Sequence, residues 1–237
     1  KSTTSIGGDN WPFGDMAKVD LADLDILGTH LSKWRAVCVQ PMQFLLNAMS
    51  MIPQKEPGAV RMVASMASGW WLDVRLDAGS ERAWSTSVSD VDDAARPGSS
   101  CLYAMEARQI FLDILKALGY DTLVGLWGFV KFYDTMQYDV LEKECRGNGY
   151  GKRKTAFSMM IHAAPRILKM GKAVGVMTSS MGRGIVAGCK RSQSLAKCYT
   201  NRFVKGLRES FYVELPGSTR KGTHKQNAAA ELRRRKK

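Results

Sequence analysis

The chain has 237 residues, enough for one substantial core or two small ones, and its 45% hydrophobic and 24% charged content is ordinary for a globular protein. No stretch approaches about 18 uninterrupted apolar residues, so we expect no membrane span. The five cysteines are odd in number and lack CxxC spacing, which argues against a disulfide framework or a zinc site. Together with an N-terminus that lacks a signal-peptide layout, they favour a reducing, intracellular compartment, the nucleus included.

The net charge of +13 is distributed unevenly along the chain. Residues 1–139 contain 12 Lys and Arg against 17 Asp and Glu, whereas residues 140–237 contain 23 against 5. A basic half of this kind can release counterions from a phosphate backbone, so nucleic acid is the leading predicted partner. The alternative is a basic surface that serves only solubility.

The first third of the chain combines helical patterns with one hairpin signal. Residues 16–50 have apolar positions at helical spacing around Pro41, and Asp20 or Asp23 could cap the helix. Residues 52–65, "IPQKEPGAVRMVAS", place two prolines and a glycine around a turn between short apolar runs. That arrangement predicts a β-hairpin.

The next segments lead to one long helix. Residues 69–84 fit a helix or a strand, and their paired tryptophans are predicted to lie in the core. Residues 87–100 form a polar loop, and residues 101–120 predict an amphipathic helix that ends at Gly119.

The remaining segments mix strand and helix patterns. Residues 121–134, "DTLVGLWGFVKFYD", are rich in β-forming residues and predict a strand. The patterns after this strand predict a helix at 136–145, a helix at 155–171 broken or kinked at Pro165, a Gly-rich strand and turn at 173–189, and a helix at 192–211. This order predicts an α+β fold that is helix-rich with a small antiparallel sheet.

Four segments, taken in order, resemble a reverse transcriptase of the LINE or non-LTR retroelement type. They are the hairpin at 52–65, "ARPGSSCLYAMEAR" at 95–108, "LVGLWGFVKFYDTM" at 123–136 and "GIVAGCKRSQ" at 184–193. The resemblance implies the fingers and partial palm of a right-hand polymerase. It divides residues 1–215 into an N-terminal helical and fingers region (1–120) and a partial palm (121–215). The basic, low-complexity composition of residues 216–237 predicts a disordered tail.

The resemblance also implies roles for individual residues. Lys55 and Arg61 match the basic residues that hold the triphosphate of an incoming nucleotide, and Tyr133 matches the residue near its sugar. Gly184 and Gly188 match the loop beneath the nascent base pair. Other positions that keep the family pattern are Lys131, Asp134 and Ser192.

One family position is changed in a way that affects chemistry. Intact members hold two Mg²⁺ ions on palm carboxylates, and Gly128 stands where the first motif has its aspartate. No Asp occurs after Asp139, so no later Asp-Asp pair exists within these residues. We therefore expect no intact catalytic set, no bound metal and no polymerisation.

A second class of function stays open. The segments "FVKFYD" and "GYGKRKT" combine aromatic and basic residues and could form an RNA surface without any polymerase. The rival prediction is a non-catalytic, basic RNA-binding or nucleoprotein-like domain. In both cases the predicted partner is RNA or an RNA/DNA duplex, and the predicted contacts are Lys152, Arg153, Lys154, Lys190 and Arg191. A Lys55–Arg61 hairpin over a strand carrying Gly128 favours the polymerase fold, and a helical bundle without them favours the rival.

Overall fold

The protein is represented by a computed structural model that describes residues 11, 13–45, 47–89, 93–122, 124–125, 128–177 and 182–211. Residues up to Arg202 belong to one compact unit. A second unit begins at Phe203, and its described residues are the last turns of the final helix. The predicted tail at 216–237 lies outside the described residues. Along the described part of the chain, no helix is both long and apolar enough to cross a membrane.

The described elements confirm an α+β architecture. Those before residue 120 are α1 (Phe13–Met16), α2 (Leu21–Val37), α3 (Met42–Leu45), β1 (Asn47–Pro53), β2 (Val60–Ser65), α4 (Ser68–Leu76), α5 (Ala78–Val88) and α6 (Cys101–Ala117). Those after it are α7 (Phe132–Thr135), α8 (Tyr138–Gly147), α9 (Lys152–Ala163), β3 (Arg166–Met170), β4 (Ala173–Met177) and α10 (Lys190–Phe211).

Local sequence signals set several helix ends. The side chain of Ser100 accepts a hydrogen bond from the backbone N–H of Tyr103 at 3.1 Å and so caps α6. Gly119 follows α6 with φ +80°, a backbone conformation that glycine adopts without strain. The predicted helix over 101–120 is therefore confirmed.

Pro165 separates α9 from β3. A proline has no N–H to donate to a helix, so the predicted break is confirmed, and the residues beyond it form a strand rather than more helix. The buried side chain of Asn47 donates to the carbonyl of Ile161 at 2.7 Å, which satisfies one acceptor near the end of α9. This contact ties the end of α9 to the start of β1.

The four strands form one mixed sheet in the order β2-β1-β3-β4. β1 pairs with β2 as the predicted antiparallel hairpin, but it pairs with β3 in parallel. The predicted all-antiparallel sheet is wrong, because β3 reaches β1 through a long connection that includes α9, and such connections allow parallel pairing. The helix predicted over residues 16–50 also ends too late, since residues 47–50 belong to β1.

The strand predicted at 121–134 is absent from the described residues of that segment. Residues 128 and 129 lie in irregular structure, and Lys131 has φ +47° at the start of α7. β-forming side chains stabilise a strand only when a neighbouring strand supplies hydrogen bonds, and none of the described strands pairs with this segment. Residues 123, 126 and 127 lie outside the described residues.

Two apolar clusters form the core. The first joins one face of the sheet to α4 and α9, and its buried residues are Met49, Ala64, Met66, Trp70, Val74, Phe157, Ile161, Val186 and Cys189. The second joins α8 to α10, and its buried residues are Met136, Leu141, Cys145, Tyr150, Ile185, Leu195 and Cys198. Trp70 is therefore in the core as predicted, while Trp71 is half-buried.

A buried ionic cluster connects α4 to the start of α10. The Arg191 side chain is 2% exposed, and its Nη2 lies 2.8 Å from Asp73 Oδ2 and 2.6 Å from Asp77 Oδ2. Arg35 of α2 completes the cluster with Nε 3.4 Å from Asp73 Oδ1 and a hydrogen bond to Asp77. Burial raises the pKa of Asp73, against the opposing effect of the two guanidinium groups.

Removing one carboxylate from this cluster should destabilise the fold strongly. We expect Asp73→Ala to lower the free energy of unfolding by about 3 kcal/mol, because it leaves a desolvated guanidinium short of a counterion. Urea denaturation of the purified chain at pH 7 would measure the loss. The matched control is Asp15→Ala, which breaks the exposed pair with Lys18 and should cost about 0.5 kcal/mol or less. Equal effects of the two substitutions would contradict a stabilising role for the cluster.

Candidate nucleic-acid interface

The β1–β2 hairpin carries two exposed cations. The backbone N–H of Gln54 donates to Ala59 at 2.9 Å and closes the turn, where Gly58 has φ +81°. Lys55 lies in this turn, and Arg61 pairs with Ile52 on the adjacent part of β2. Both side chains are exposed, so both are accessible to a phosphate group.

The strand register identifies a third exposed cation that the sequence reasoning did not assign to a site. Ser50 of β1 pairs with Lys169 of β3, while Ile52 pairs with Arg61. Ser50 and Ile52 are two residues apart on one strand, so Lys169 and Arg61 lie on the same face of the sheet. Their Cα atoms are about 12 Å apart by the usual strand spacings. This face is opposite the one that packs into the first apolar cluster.

The loop at 182–189 packs against the base of the hairpin. The backbone N–H of Ala64 donates to the carbonyl of Ala187 at 3.2 Å. Gly188 has φ +102°, and a Cβ atom there would lie 3.1 Å from the carbonyl oxygen of Ala64. Only glycine fits comfortably in that position. Arg61 lies about 10 Å further along β2.

The same loop also contacts the segment around α7. The backbone N–H of Ile185 donates to Tyr133 at 2.8 Å, and that of Gly184 donates to Met136 at 2.8 Å. A Cβ atom at Gly184, which has φ +88°, would lie 3.2 Å from the carbonyl oxygen of Asp134. The structure therefore brings together Tyr133, Asp134 and the loop that contains Gly184 and Gly188.

Val186 is held from two sides at the centre of this loop. Its N–H donates to Nδ1 of His162 at 3.0 Å, and its carbonyl accepts a hydrogen bond from Oγ of Ser192 at 2.7 Å. Ser192 is thus a buried structural residue of the loop. His162 is fully buried on α9, and desolvation, followed by the nearby Arg166 and Arg191, lowers its pKa to about 3. Sequence reasoning missed His162, because a single histidine in an apolar helix gives no sign of what it contacts.

Two predicted nucleic-acid contacts are corrected by their burial and partners. Arg191 lies inside the ionic cluster and its side chain is 2% exposed, so it cannot reach a phosphate group. Lys154 is half-buried, with Nζ 3.2 Å from Glu81 Oε2 and 2.9 Å from Ser80 Oγ. Both side chains form ion pairs with carboxylates of the protein itself.

The other predicted basic contacts remain exposed. Lys152 and Arg153 lie in the first turn of α9, and Lys190 begins α10 with Nζ 5.7 Å from the ring centroid of Trp71. Lysines and arginines in such positions can contact a nucleic-acid backbone through their charge.

Three positions of the first palm motif are exposed at the surface. Gly128 is exposed, with no described atom within 4 Å of a Cβ built at that position, and Lys131 and Asp134 are exposed as well. Among the residues that the structure describes, no three His, Cys, Asp or Glu side chains are grouped so that they could hold a metal ion. No protein-family model and no curated protein matches the chain.

The close approach at Gly188 predicts a large effect for a small substitution. We expect Gly188→Ala to lower the free energy of unfolding by roughly 1 to 2 kcal/mol more than Gly182→Ala. Both glycines have positive φ, but a Cβ at Gly182 meets no atom within 4 Å, so the difference reports the contact with Ala64. Chemical denaturation of the two variants would measure it, and equal losses would show that the loop does not press on β2.

Burial of His162 predicts a pH dependence of stability. Its pKa is lower in the folded protein than the usual 6.5, so the unfolded chain binds more protons below pH 6.5 and folding becomes less favourable as the pH falls. The contribution of neutral His162 to the free energy of unfolding is complete well above pH 6.5. Between pH 6.5 and pH 5 this contribution decreases by up to about 1.4 kcal/mol per pH unit.

Urea denaturation between pH 7.5 and pH 5 would measure this slope. The control is His162→Asn, which retains an acceptor for Val186 but does not titrate. We expect this variant to have a flatter profile. A wild-type profile as flat as that of the variant would contradict a buried, neutral His162.

Proposed function

We propose that the chain is a reverse-transcriptase-like domain of the LINE type, comprising fingers and a partial palm, which binds RNA or an RNA/DNA duplex but does not join nucleotides. One observation carries the proposal. Three of the four segments that resemble family motifs lie far apart in sequence and meet at one loop. β2 at Ala64 and the α7 region at Tyr133 and Met136 each form backbone hydrogen bonds with the loop at 184–187.

The exposed cations near these segments would bind phosphate groups. Lys55 and Arg61 extend from the hairpin and would hold phosphate groups of a nucleotide or a strand, with Lys169 on the same sheet face as Arg61.

The loop at 184–188 contains no charged residue, and its exposed residue Gly188 would support a base pair, as the resemblance implies. The same role for Gly184 is corrected, because Gly184 is buried and its N–H and carbonyl form hydrogen bonds within the protein. Tyr133 is half-buried and would contact a sugar from the edge of the second apolar cluster.

The residues present do not fit the two-metal centre of the intact family. Such a centre needs carboxylates close together, and Gly128 removes the first of them. Asp134, six residues further on, is exposed at α7, and its backbone rather than its side chain approaches Gly184. We therefore derive no nucleotidyl-transfer step for this chain. As a retroelement-derived domain that binds RNA, it would act inside the cell, the nucleus included.

A non-catalytic basic RNA-binding domain is the second candidate. It is favoured by the absence of a strand at residues 128 and 129, and by the exposed Lys152 and Arg153 at the first turn of α9. The β1–β2 hairpin, in contrast, is the element that the polymerase proposal requires.

A pair of matched double substitutions separates the two candidates. We expect Lys55→Ala with Arg61→Ala to weaken binding to a short RNA/DNA duplex at least tenfold, and Lys152→Ala with Arg153→Ala to weaken it about twofold. Each pair removes one exposed lysine and one exposed arginine, so the change in net charge is the same. Fluorescence anisotropy at several salt concentrations would measure both affinity and its salt dependence. The reverse ranking would favour the general basic surface.

Primer extension tests the predicted inactivity. With purified chain, an RNA template, a DNA primer and Mg²⁺ or Mn²⁺, we expect no templated extension above a no-protein control. The physical reason is the missing carboxylate at Gly128, because removal of a metal ligand costs many orders of magnitude in rate. Templated products that depend on this chain would refute the prediction.

A further inference from the structure

A broad exposed apolar surface lies on α6. Five large side chains on one side of this helix and its C-terminal cap are between 47% and 60% exposed, and Ala104 is the only residue of α6 that is buried. We call these five residues the α6 stripe: Tyr103, Ile110, Phe111, Ile114 and Leu118. Their separations of 7, 1, 3 and 4 residues place them on one side of a helix. The stripe is therefore a continuous apolar surface.

The composition of α6 narrows the class of partner. The side of α6 away from the stripe contains Glu106, Gln109, Asp113 and Lys116 together with the exposed Leu102 and Met105, so it has no excess of basic residues. A nucleic-acid surface needs such an excess, and helices that lie on anionic membranes carry Lys and Arg on their polar face. Large apolar patches with polar borders are typical of protein–protein interfaces.

The area of the stripe is sufficient for a pair of identical helices. Taking about 190 to 250 Å² for each fully exposed large apolar side chain, the stripe offers roughly 550 Å² per copy. Complete burial of both stripes would remove at most roughly 1,100 Å² from solvent, which is near the lower limit of about 1,000 Å² for a specific interface. We propose that α6 is a self-association surface that docks on the α6 stripe of a second copy of this chain.

The charges beside the stripe select the orientation. Glu106 and Asp113 are seven residues apart and flank the same side of the stripe. An antiparallel pair would bring Glu106 of one copy near Asp113 of the other, whereas a parallel pair places these acids beside Phe111 and Leu118 of the other copy. Two like charges in contact destabilise a helix pair, so the helices pair in parallel. Ile110 then meets Ile110 across the twofold axis.

Self-association of the full chain tests the proposal directly. We expect light scattering and sedimentation velocity to show a dimer of wild-type protein at tens of micromolar. The double variant Ile110→Glu, Ile114→Glu should raise the dissociation constant of the dimer at least 30-fold. Each copy would place two glutamates in the interface, opposite those of the other copy. Met105→Glu is the matched control, since Met105 is 68% exposed on the opposite side of α6, and it should dimerise like the wild type.

Disulfide cross-linking tests the orientation of the two helices, and circular dichroism tests the folding of the variants. Leu118→Cys should form a disulfide-linked dimer under mild oxidation if the helices are parallel, because an antiparallel pair with Glu106 near Asp113 would hold the two copies of residue 118 about 25 Å apart. Because the substituted side chains are exposed, all variants should keep the wild-type circular dichroism and the wild-type affinity for RNA. The inference is independent of the proposed function, so loss of RNA binding in other variants leaves it unaffected.

Three outcomes would overturn the inference. One is a wild-type chain that stays monomeric at 100 µM. Another is a dimer that persists in the double variant with unchanged affinity. The third is a monomeric wild type that binds phosphatidylcholine–phosphatidylserine vesicles through Ile110 and Ile114, which would assign the stripe to a lipid surface.

Discussion

The buried guanidinium of Arg191 fixes the geometry of the candidate interface. It lies between Asp73 of α4 and Asp77, which joins α4 to α5, and its guanidinium carbon is 4.8 Å from the ring centroid of Trp70. A desolvated charge is tolerated only while its counterions stay in place, so the first turn of α10 must remain against α4. The loop that precedes α10 is consequently held at one end by an ion pair that solvent screens weakly.

The middle of that loop is fixed by neutral contacts. Val186 has both backbone groups satisfied, one by His162 and one by Ser192, and its side chain is completely buried. The middle of this glycine-rich loop therefore belongs to the core, while Gly188 remains exposed. The loop can therefore hold the base of the hairpin and the α7 region in a constant relation, which a binding surface needs.

Sequence reasoning located the elements whose signals are local. Pro165, Gly119 and the Pro-Gly turn near Lys55 each act within a few residues, so the ends of α9 and α6 and the β1–β2 hairpin could be predicted. The segment around Gly128 could not, because a strand depends on a neighbour that its own residues do not specify. The parallel partner of β1 was missed for the same reason.

In the candidate site, too, the residues with local sequence signals were predictable and those with distant partners were not. Lys55 and Arg61 were placed correctly on an exposed hairpin, since a basic residue in a turn has little else to contact. Arg191 was assigned to the surface although it is buried, because its two partners lie more than 110 residues away in the chain. Lys169 could not be assigned to the site from the sequence, because only the register of three strands places it on the same sheet face as Arg61.

The position of β1 between β2 and β3 affects how the chain can be assembled. β2 follows β1 directly, so the hairpin can form as soon as it has been synthesised, whereas Arg166, which pairs with Asn47, appears much later. Until then one edge of β1 has free backbone groups, and the apolar face with Met49 and Ala64 lacks the cover of Phe157 and Ile161. A nascent chain that has reached α6 but not α9 thus exposes an unpaired strand edge and an apolar sheet face. At this stage of synthesis the chain is most prone to aggregate and would benefit most from a molecular chaperone.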